Sequence, residues 1–190
     1  MKPYYLFRFI VLLVFLLVAD NLFAQTDYSI NWPEKYQPSK SSFFVHNEIY
    51  INAPSGVVWQ LLLDAERWPQ WYVGAKNVKY IDSSTKRLTD GIVFNWNTMG
   101  FGFTSTIKEF VPERSLCWES VKRNIKGYHA WLIIPTDNGC RVITDESQNG
   151  WLTFFEKTFQ PAKLKKLHDV WLKSLKEQSE HAHKKSLSAK

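Results

Sequence analysis

Cysteine is scarce in this chain, and neither a glycine-rich phosphate loop nor a low-complexity tract is present. Its 190 residues include two cysteines, Cys117 and Cys140, which excludes the dense disulfide framework of small secreted domains. The glycines at Gly100 and Gly102 lack the strand-then-helix context of a phosphate-binding loop and suggest a bend in a hairpin instead. No Ser-His-Asp or Cys-His arrangement can be argued from the order of residues. These absences argue against a nucleotide-binding enzyme and against a nucleophilic hydrolase.

The longest apolar run stands near the N-terminus. Residues 9–19 are uninterruptedly apolar and follow the basic residues Lys2 and Arg8. This layout is typical of a secretory signal, and the run is shorter than the about 20 residues that span a bilayer. We predict a signal peptide at 1–24, cleaved after Ala24, and a periplasmic or secreted mature chain. The alternative is an uncleaved segment that tethers the domain to a membrane.

The basic excess of the chain does not indicate nucleic-acid binding. The net charge is +6, and many of the lysines lie between Lys163 and Lys190. Nucleic-acid binding favours basic residues spread over one face with interleaved aromatic residues. We therefore expect a solvated helix face that ends in a basic tail at 183–190, and no nucleic-acid partner.

Strand patterns dominate the chain after residue 42. Residues 25–42 are polar and show no periodicity, which predicts a tether, whereas 43–52 alternate between apolar and polar side chains. Pro54 is well placed to start a helix. The apolar stripe of this helix is Val58, Trp59, Leu62 and Leu63. Six further strands joined by tight turns are predicted at about 77–82, 91–97, 102–111, 115–122, 128–135 and 140–148.

A long amphipathic helix ends the predicted domain, which covers residues 43–182. Apolar residues recur at spacings of three and four residues over 150–182, and Pro161 should kink or interrupt the helix. No helix-length gap separates the six strands, so a parallel sheet is excluded. We predict an α+β fold in which a seven-stranded antiparallel sheet wraps around the C-terminal helix. Such a sheet should leave a cavity between itself and the helix.

The two cysteines are placed on strands that flank a third. Next-nearest strands lie roughly 9–10 Å apart, which exceeds the roughly 7 Å Cα separation that a disulfide can bridge. We therefore expect Cys117 and Cys140 to be separate buried thiols, although an exported protein meets an oxidising compartment.

Several stretches resemble one known family. They are "INAPSGVVWQLLLDAERWPQW", "LTDGIVFNW", "FTSTIKEFVPERSLCWES" and "YHAWLIIPTDNGCRVITDESQNG". Together they are similar to the polyketide cyclase/dehydrase branch of the START and Bet v 1-like (SRPBCC) superfamily, and the resemblance runs over about 43–182. It implies a helix-grip architecture with a deep, largely apolar ligand cavity. It does not imply one activity, because the superfamily includes lipid carriers, hormone receptors and aromatase/cyclases.

The last two strands carry the sharpest polar pattern. If Asp137 and Asn138 form a two-residue turn, His129 faces Glu146 and Trp131 faces Thr144. The resemblance favours the face with His129, Trp131, Thr144 and Glu146 as the one that lines the cavity, so these four residues are candidate ligand contacts. A histidine beside a carboxylate in an apolar cavity can act as an acid/base pair. The alternative, which we favour, is a cross-strand pair that anchors a ligand's polar end or stabilises the sheet.

Tryptophans supply the other candidate ligand contacts. Trp68 and Trp71 follow the first helix in a loop, and we expect them to line the mouth of the cavity, with packing inside the protein as the alternative. Trp96 and Trp118 lie on predicted strands and are further candidate ligand contacts. Glu119 is a further candidate for orienting the polar end of the ligand in the cavity.

The remaining histidines do not suggest a metal site. His168, His181 and His183 have no carboxylate or thiol partner at ligand spacing in the sequence. We therefore predict no metal and no cofactor.

The function predicted from these patterns is binding of a hydrophobic small molecule or lipid in an internal cavity. We favour a binding protein over an enzyme. The first alternative is a cyclase or dehydratase that uses His129 and Glu146 as acid and base. The second is a protein-interaction module, which would have a well-packed interior.

Overall fold

The computed structural model describes residues 28–189, so the predicted signal peptide lies outside the described residues. Three helices and seven strands are found in this range. They are β1 (Phe43–Ile51), α1 (Ser55–Leu63), β2 (Lys76–Tyr80), β3 (Val93–Thr98), β4 (Phe101–Val111), β5 (Ser115–Lys122), β6 (Ile125–Thr136), β7 (Gly139–Asn149), α2 (Trp151–Phe159) and α3 (Lys163–Ser188). Short 3-10 turns occur at Glu34–Tyr36, Pro38–Lys40 and Ala65–Gln70.

The seven strands form one antiparallel sheet in the order β1-β7-β6-β5-β4-β3-β2. Strands β2 to β6 each pair with the next strand in the chain, and β1 pairs with β7 at the other end. Helix α3 packs against β1, β7 and α1. The predicted α+β fold, a seven-stranded antiparallel sheet with a long C-terminal helix, is confirmed.

The predicted register of β6 and β7 is also confirmed. Thr136 pairs with Gly139 across a two-residue turn, so that His129 pairs with Glu146 and Trp131 with Thr144. Gly139 has a φ of 151°, and a Cβ there would collide with the Ile51 carbonyl oxygen on β1. This close approach requires glycine, which fixes the end of the hairpin against the neighbouring strand.

Helix α3 buries one stripe of its surface. Leu164, His168, Trp171, Leu172 and Leu175 recur at three and four residues and are buried. The predicted interruption at Pro161 is confirmed, because helix α2 ends at Phe159 and α3 begins at Lys163. The helix continues to Ser188, through most of the segment predicted as a basic tail. Among the described residues, no helix combines the length and apolar character that crossing a membrane requires.

Residues 28–42 are packed on the outer face of the sheet rather than extended as a tether. Tyr36 is 1% exposed and its ring stacks on Tyr128 at 5.5 Å, while Trp32 contacts Tyr128 and Phe44 at 5.6 and 5.8 Å. Two aromatic anchors do not produce a periodic pattern, so the sequence did not reveal this docking.

Glu119 lies on this outer face, so the prediction that it orients a ligand's polar end in the cavity was wrong. Its carboxylate accepts hydrogen bonds from Lys35 Nζ and Tyr36 OH, each at 2.7 Å. Neighbouring side chains on a strand point to opposite faces, so Glu119 must point outward where Trp118 points into the core.

The two cysteines are buried free thiols within the described part of the chain, as predicted. Cys117 belongs to the outer cluster with Tyr36 and Tyr128, whereas Cys140 belongs to the core between sheet and α3. They therefore lie on opposite faces of the sheet. Burial raises the pKa of the Cys140 thiol to about 11 and that of Cys117 well above its ordinary value.

Candidate functional site

Aromatic rings fill most of the space between the sheet and α3. The rings in mutual contact are Trp68, Phe94, Trp96, Trp118, Trp131 and Trp171. Their centroids lie about 5–6 Å apart in mostly edge-to-face or tilted pairs, the geometry that aromatic quadrupoles prefer. The interior is therefore a packed aromatic cluster more than an open chamber.

A cavity of about 40 Å³ remains beside this cluster. It is bounded by β3 to β7, α3 and the loop after α1, and its lining residues include Tyr72, Trp96, Phe101, Phe103, Trp118, His129, Glu146, Leu164, Leu167, His168 and Trp171. Such a volume holds roughly three water-sized groups, far less than the about 300–1,000 Å³ of a drug-sized ligand pocket. The deep cavity implied by the family resemblance is thus largely occupied by indole rings.

Four of the eight residues predicted to contact a ligand line this cavity. They are Trp96, Trp118, His129 and Glu146. Trp131 and Thr144 are buried beside His129, whose ring stacks on Trp131 and whose Nε2 contacts Thr144. The predicted cavity-facing side of β6 is therefore confirmed, and contact with a ligand stays a prediction.

Trp68 and Trp71 do not lie in the lining, so their predicted position at the mouth was wrong. The 3-10 turn Ala65–Gln70 directs Trp68 into the core, where it is fully buried and its Nε1 donates to the Leu62 carbonyl at 3.1 Å. Trp71 is half-buried and packs at the edge of the same core. Instead, Tyr72 from this loop reaches the cavity and stacks on Trp171 at 4.2 Å.

Three polar side chains meet at the cavity wall, and we call them the His-Glu-His triad. Glu146 Oε2 lies 3.1 Å from His129 Nδ1 and 3.2 Å from His168 Nε2. The pairing of His129 with Glu146 follows from strand register, but His168 arrives from α3. The sequence shows no carboxylate at ligand spacing from His168, and the contact was missed because helix docking brings together residues that are distant in the sequence.

Further hydrogen bonds fix the triad in place. The other ring nitrogen of His129, Nε2, lies 2.8 Å from Thr144 Oγ1, and Gln148 Nε2 donates to Glu146 Oε1 at 2.7 Å. The His129 ring also stacks on Trp118 at 4.5 Å with an interplanar angle of 9°. His129 and Glu146 are therefore each held by at least two contacts, which orients the ring and the carboxylate.

The triad carries a buried negative charge. Burial lowers the pKa of His129 to about 4, although the hydrogen bond and charge of Glu146 act in the opposite sense. Burial opposes ionisation of Glu146, but hydrogen bonds from both histidines and their charges hold its pKa well below the ordinary value. At neutral pH, the His129 imidazole is therefore neutral, donating from Nδ1 to the carboxylate and accepting at Nε2 from the Thr144 hydroxyl.

Some polar atoms of the described cavity-lining residues lack a hydrogen-bond partner. Within residues 28–189, His168 Nδ1, Trp118 Nε1 and Trp171 Nε1 are buried without a hydrogen-bond partner. Unpaired buried donors and acceptors are costly, so these atoms are the ones that gain most from a polar group in the cavity.

A seven-stranded antiparallel sheet wrapped around a C-terminal helix, with a cavity lined between them, defines a helix-grip protein. Residues 43–180 match the family described as "Polyketide cyclase / dehydrase and lipid transport". The chain belongs to this family. No curated protein matches the chain.

Solved structures share the fold. The hypothetical protein jhp0584 from Helicobacter pylori is 29% identical with a TM-score of 0.74, and the match covers 81% of this chain and 98% of that one. TTHA0849 from Thermus thermophilus is 20% identical with a TM-score of 0.58, over 73% and 98% of the two chains. The di-domain ARO/CYC StfQ from the steffimycin biosynthetic pathway is 11% identical with a TM-score of 0.61, over 73% of this chain and 51% of StfQ.

Proposed function

We propose that the protein binds one hydrophobic small molecule, or the apolar end of a lipid, between the sheet and α3. The observation that carries this proposal is an aromatic-lined cavity with a fixed polar triad on its wall. Convergent polar groups in an apolar pocket are the usual composition of a small-molecule site. The family description, which includes lipid transport, supports the same function.

The size of the cavity limits what it accepts without rearrangement. About 40 Å³ admits only a small group, so a longer ligand requires movement of side chains at the opening. Phe101 and Leu167 line the cavity and are partly exposed, which makes them the candidates for that movement. Apolar burial contributes about 25 cal/mol per Å², so insertion of a ring or chain end supplies affinity with few polar contacts.

The geometry of the triad favours binding over acid/base catalysis. Both ring nitrogens of His129 already face Glu146 and Thr144, and both oxygens of Glu146 face protein donors. A general acid or base must lie within hydrogen-bond reach of the substrate proton. The cyclase or dehydratase alternative therefore requires His129 to give up one of its present partners.

Export to the periplasm or the exterior belongs to the same proposal. It is supported by the basic start and the apolar run at 9–19. An exported helix-grip protein would carry or sequester its ligand outside the cytoplasm, and the alternative remains a membrane-tethered form.

A cavity-blocking variant tests the binding proposal. The purified protein is titrated with N-phenyl-1-naphthylamine, a neutral apolar probe whose fluorescence rises on burial. Leu167→Trp adds bulk to the lining and should weaken probe binding at least ~10-fold, which corresponds to about 1.4 kcal/mol. Val170→Trp is the matched control, since Val170 is exposed on the same helix and lies outside the cavity lining. Absence of binding by the wild type, or equal affinities of the two variants, would contradict the proposal.

A further inference from the structure

The His-Glu-His triad has the donor set of a metal site. One ring nitrogen of His129, one ring nitrogen of His168 and a Glu146 carboxylate oxygen all lie within 4.8 Å of one another. Imidazole nitrogens and carboxylate oxygens bind a first-row divalent ion at about 2.0–2.2 Å, which places neighbouring ligand atoms roughly 3–4 Å apart. The two contacts of Glu146 Oε2, at 3.1 and 3.2 Å, fall in that range.

We propose that these three side chains bind one divalent transition-metal ion. The choice of ion follows from the donors, because two imidazoles and one carboxylate suit Zn²⁺ or Fe²⁺, whereas Mg²⁺ and Ca²⁺ prefer oxygen ligands throughout. This inference reverses the sequence-based expectation of no metal, which missed the site because its ligands come from β6, β7 and α3.

The surroundings of the ligands orient them as a metal site requires. A ligating histidine usually donates a hydrogen bond from its second ring nitrogen, and a ligating carboxylate is usually hydrogen-bonded in turn. His129 contacts Thr144 through Nε2, and Glu146 accepts from Gln148 through its other oxygen. Stacking of the His129 ring on Trp118 holds its plane. His129 and Glu146 are therefore fixed before any ion arrives.

The buried carboxylate of Glu146 and the adjoining cavity also suit a bound ion. Glu146, the acidic member of the triad, is mostly buried, and a divalent cation would give its carboxylate a partner of opposite charge. Three protein ligands leave at least one coordination position of the ion open. The adjoining cavity of about 40 Å³ has room for the water or ligand atom that would fill it. An ion here would place an open coordination position on the wall of the apolar cavity.

Titration with metal alone tests this inference without any apolar ligand. Untagged full chain, freed of metal with a chelator, is titrated with Zn²⁺ by calorimetry and with Co²⁺ by visible absorption. We expect one ion per chain, micromolar or tighter affinity, and a Co²⁺ ligand-field band typical of four or five ligands. Failure of the wild type to take up either ion would overturn the proposal and show that hydrogen bonds alone hold the triad.

Substitutions of single residues identify which side chains bind the ion. His168→Ala and Glu146→Gln should each weaken binding by more than about 100-fold, since loss of an outer partner alone costs about 10–100-fold. Thr144→Val, which keeps all three ligands, should weaken it about 10-fold. His181→Ala, at an exposed position on the same helix, should change nothing. Circular dichroism checks that each variant folds, and binding that survives in folded His168→Ala would overturn the assignment even if other variants are unstable.

Discussion

Trp68 and Trp71 stand three residues apart in one loop, yet they have different surroundings. Trp68 is fully buried among Phe94, Trp96 and Trp171, whereas Trp71 is half-buried at the edge of the core. Spacing alone could not separate them, because the direction of each side chain depends on the 3-10 turn Ala65–Gln70, which contains Trp68 and ends just before Trp71.

Alanine substitution should lower the stability of the protein more at Trp68 than at Trp71. Trp68→Ala removes a fully packed indole and should lower the free energy of unfolding by about 3–5 kcal/mol. Trp71→Ala should cost about 1 kcal/mol, as is typical of a partly exposed site. Urea denaturation measures both values. Equal costs would contradict the placement of Trp68 in the core.

Glu119 should give the protein an acid-sensitive contact. Burial opposes its ionisation, but hydrogen bonds from Lys35 and Tyr36 prevail, so its pKa is lowered in the folded state. A lowered folded-state pKa means that the carboxylate stabilises the fold above its unfolded pKa of about 4.3, and that this contribution is lost as pH falls through the folded pKa.

The matched variant for this pH dependence is Glu119→Gln. The wild type should be more stable than the variant at neutral pH, and the difference should shrink as pH falls below about 4. Urea unfolding at several pH values measures the difference. A difference that is constant with pH would show that the Glu119 charge has no part in stability.

At the scale of elements, the segment before β1 covers part of the outer sheet face. Tyr36 packs with Tyr128 and Cys117 in one buried cluster. Removing its ring should expose the Cys117 thiol, while Cys140 in the separate inner core stays protected. Tyr36→Ala should therefore react with Ellman's reagent at one thiol, much faster than the wild type.

Cysteine variants identify the reactive thiol. Cys117→Ser in the Tyr36→Ala background should abolish the fast reaction, and Cys140→Ser should leave it intact. Fast labelling of Cys140 instead would indicate that Tyr36→Ala loosens the whole domain rather than uncovering one face.

Helices, strands and their pairing were predictable where residues close together in the sequence determine them. The two-residue turn at Asp137 and Asn138 fixed the register of β6 and β7, and Pro161 separated α2 from α3. The docking of residues 28–42 was not predictable, since two isolated aromatic anchors give no periodicity. The contact of His168 with Glu146 was missed for a related reason, because it depends on how α3 lies across the sheet.

For the whole molecule, the fold class followed from the order of strands and helices, but the cavity did not. Side-chain volumes decide how much of a helix-grip interior stays open, and here the indoles of Trp68, Trp96, Trp118, Trp131 and Trp171 occupy most of it. Because only about 40 Å³ remains and Phe101 at its lining is partly exposed, we expect movement at the opening to set the size of ligand in the proposed binding function.

Native mass spectrometry of the protein, purified gently from its own host, is the first test of ligand binding in this cavity. We expect an organic adduct that denaturation releases and that Leu167→Trp carries at lower occupancy than Val170→Trp. A bound metal ion would appear as a separate, smaller mass and would not count as the ligand. Only ligand-free protein, for the wild type and for both variants, would contradict the proposal that this cavity holds a hydrophobic molecule.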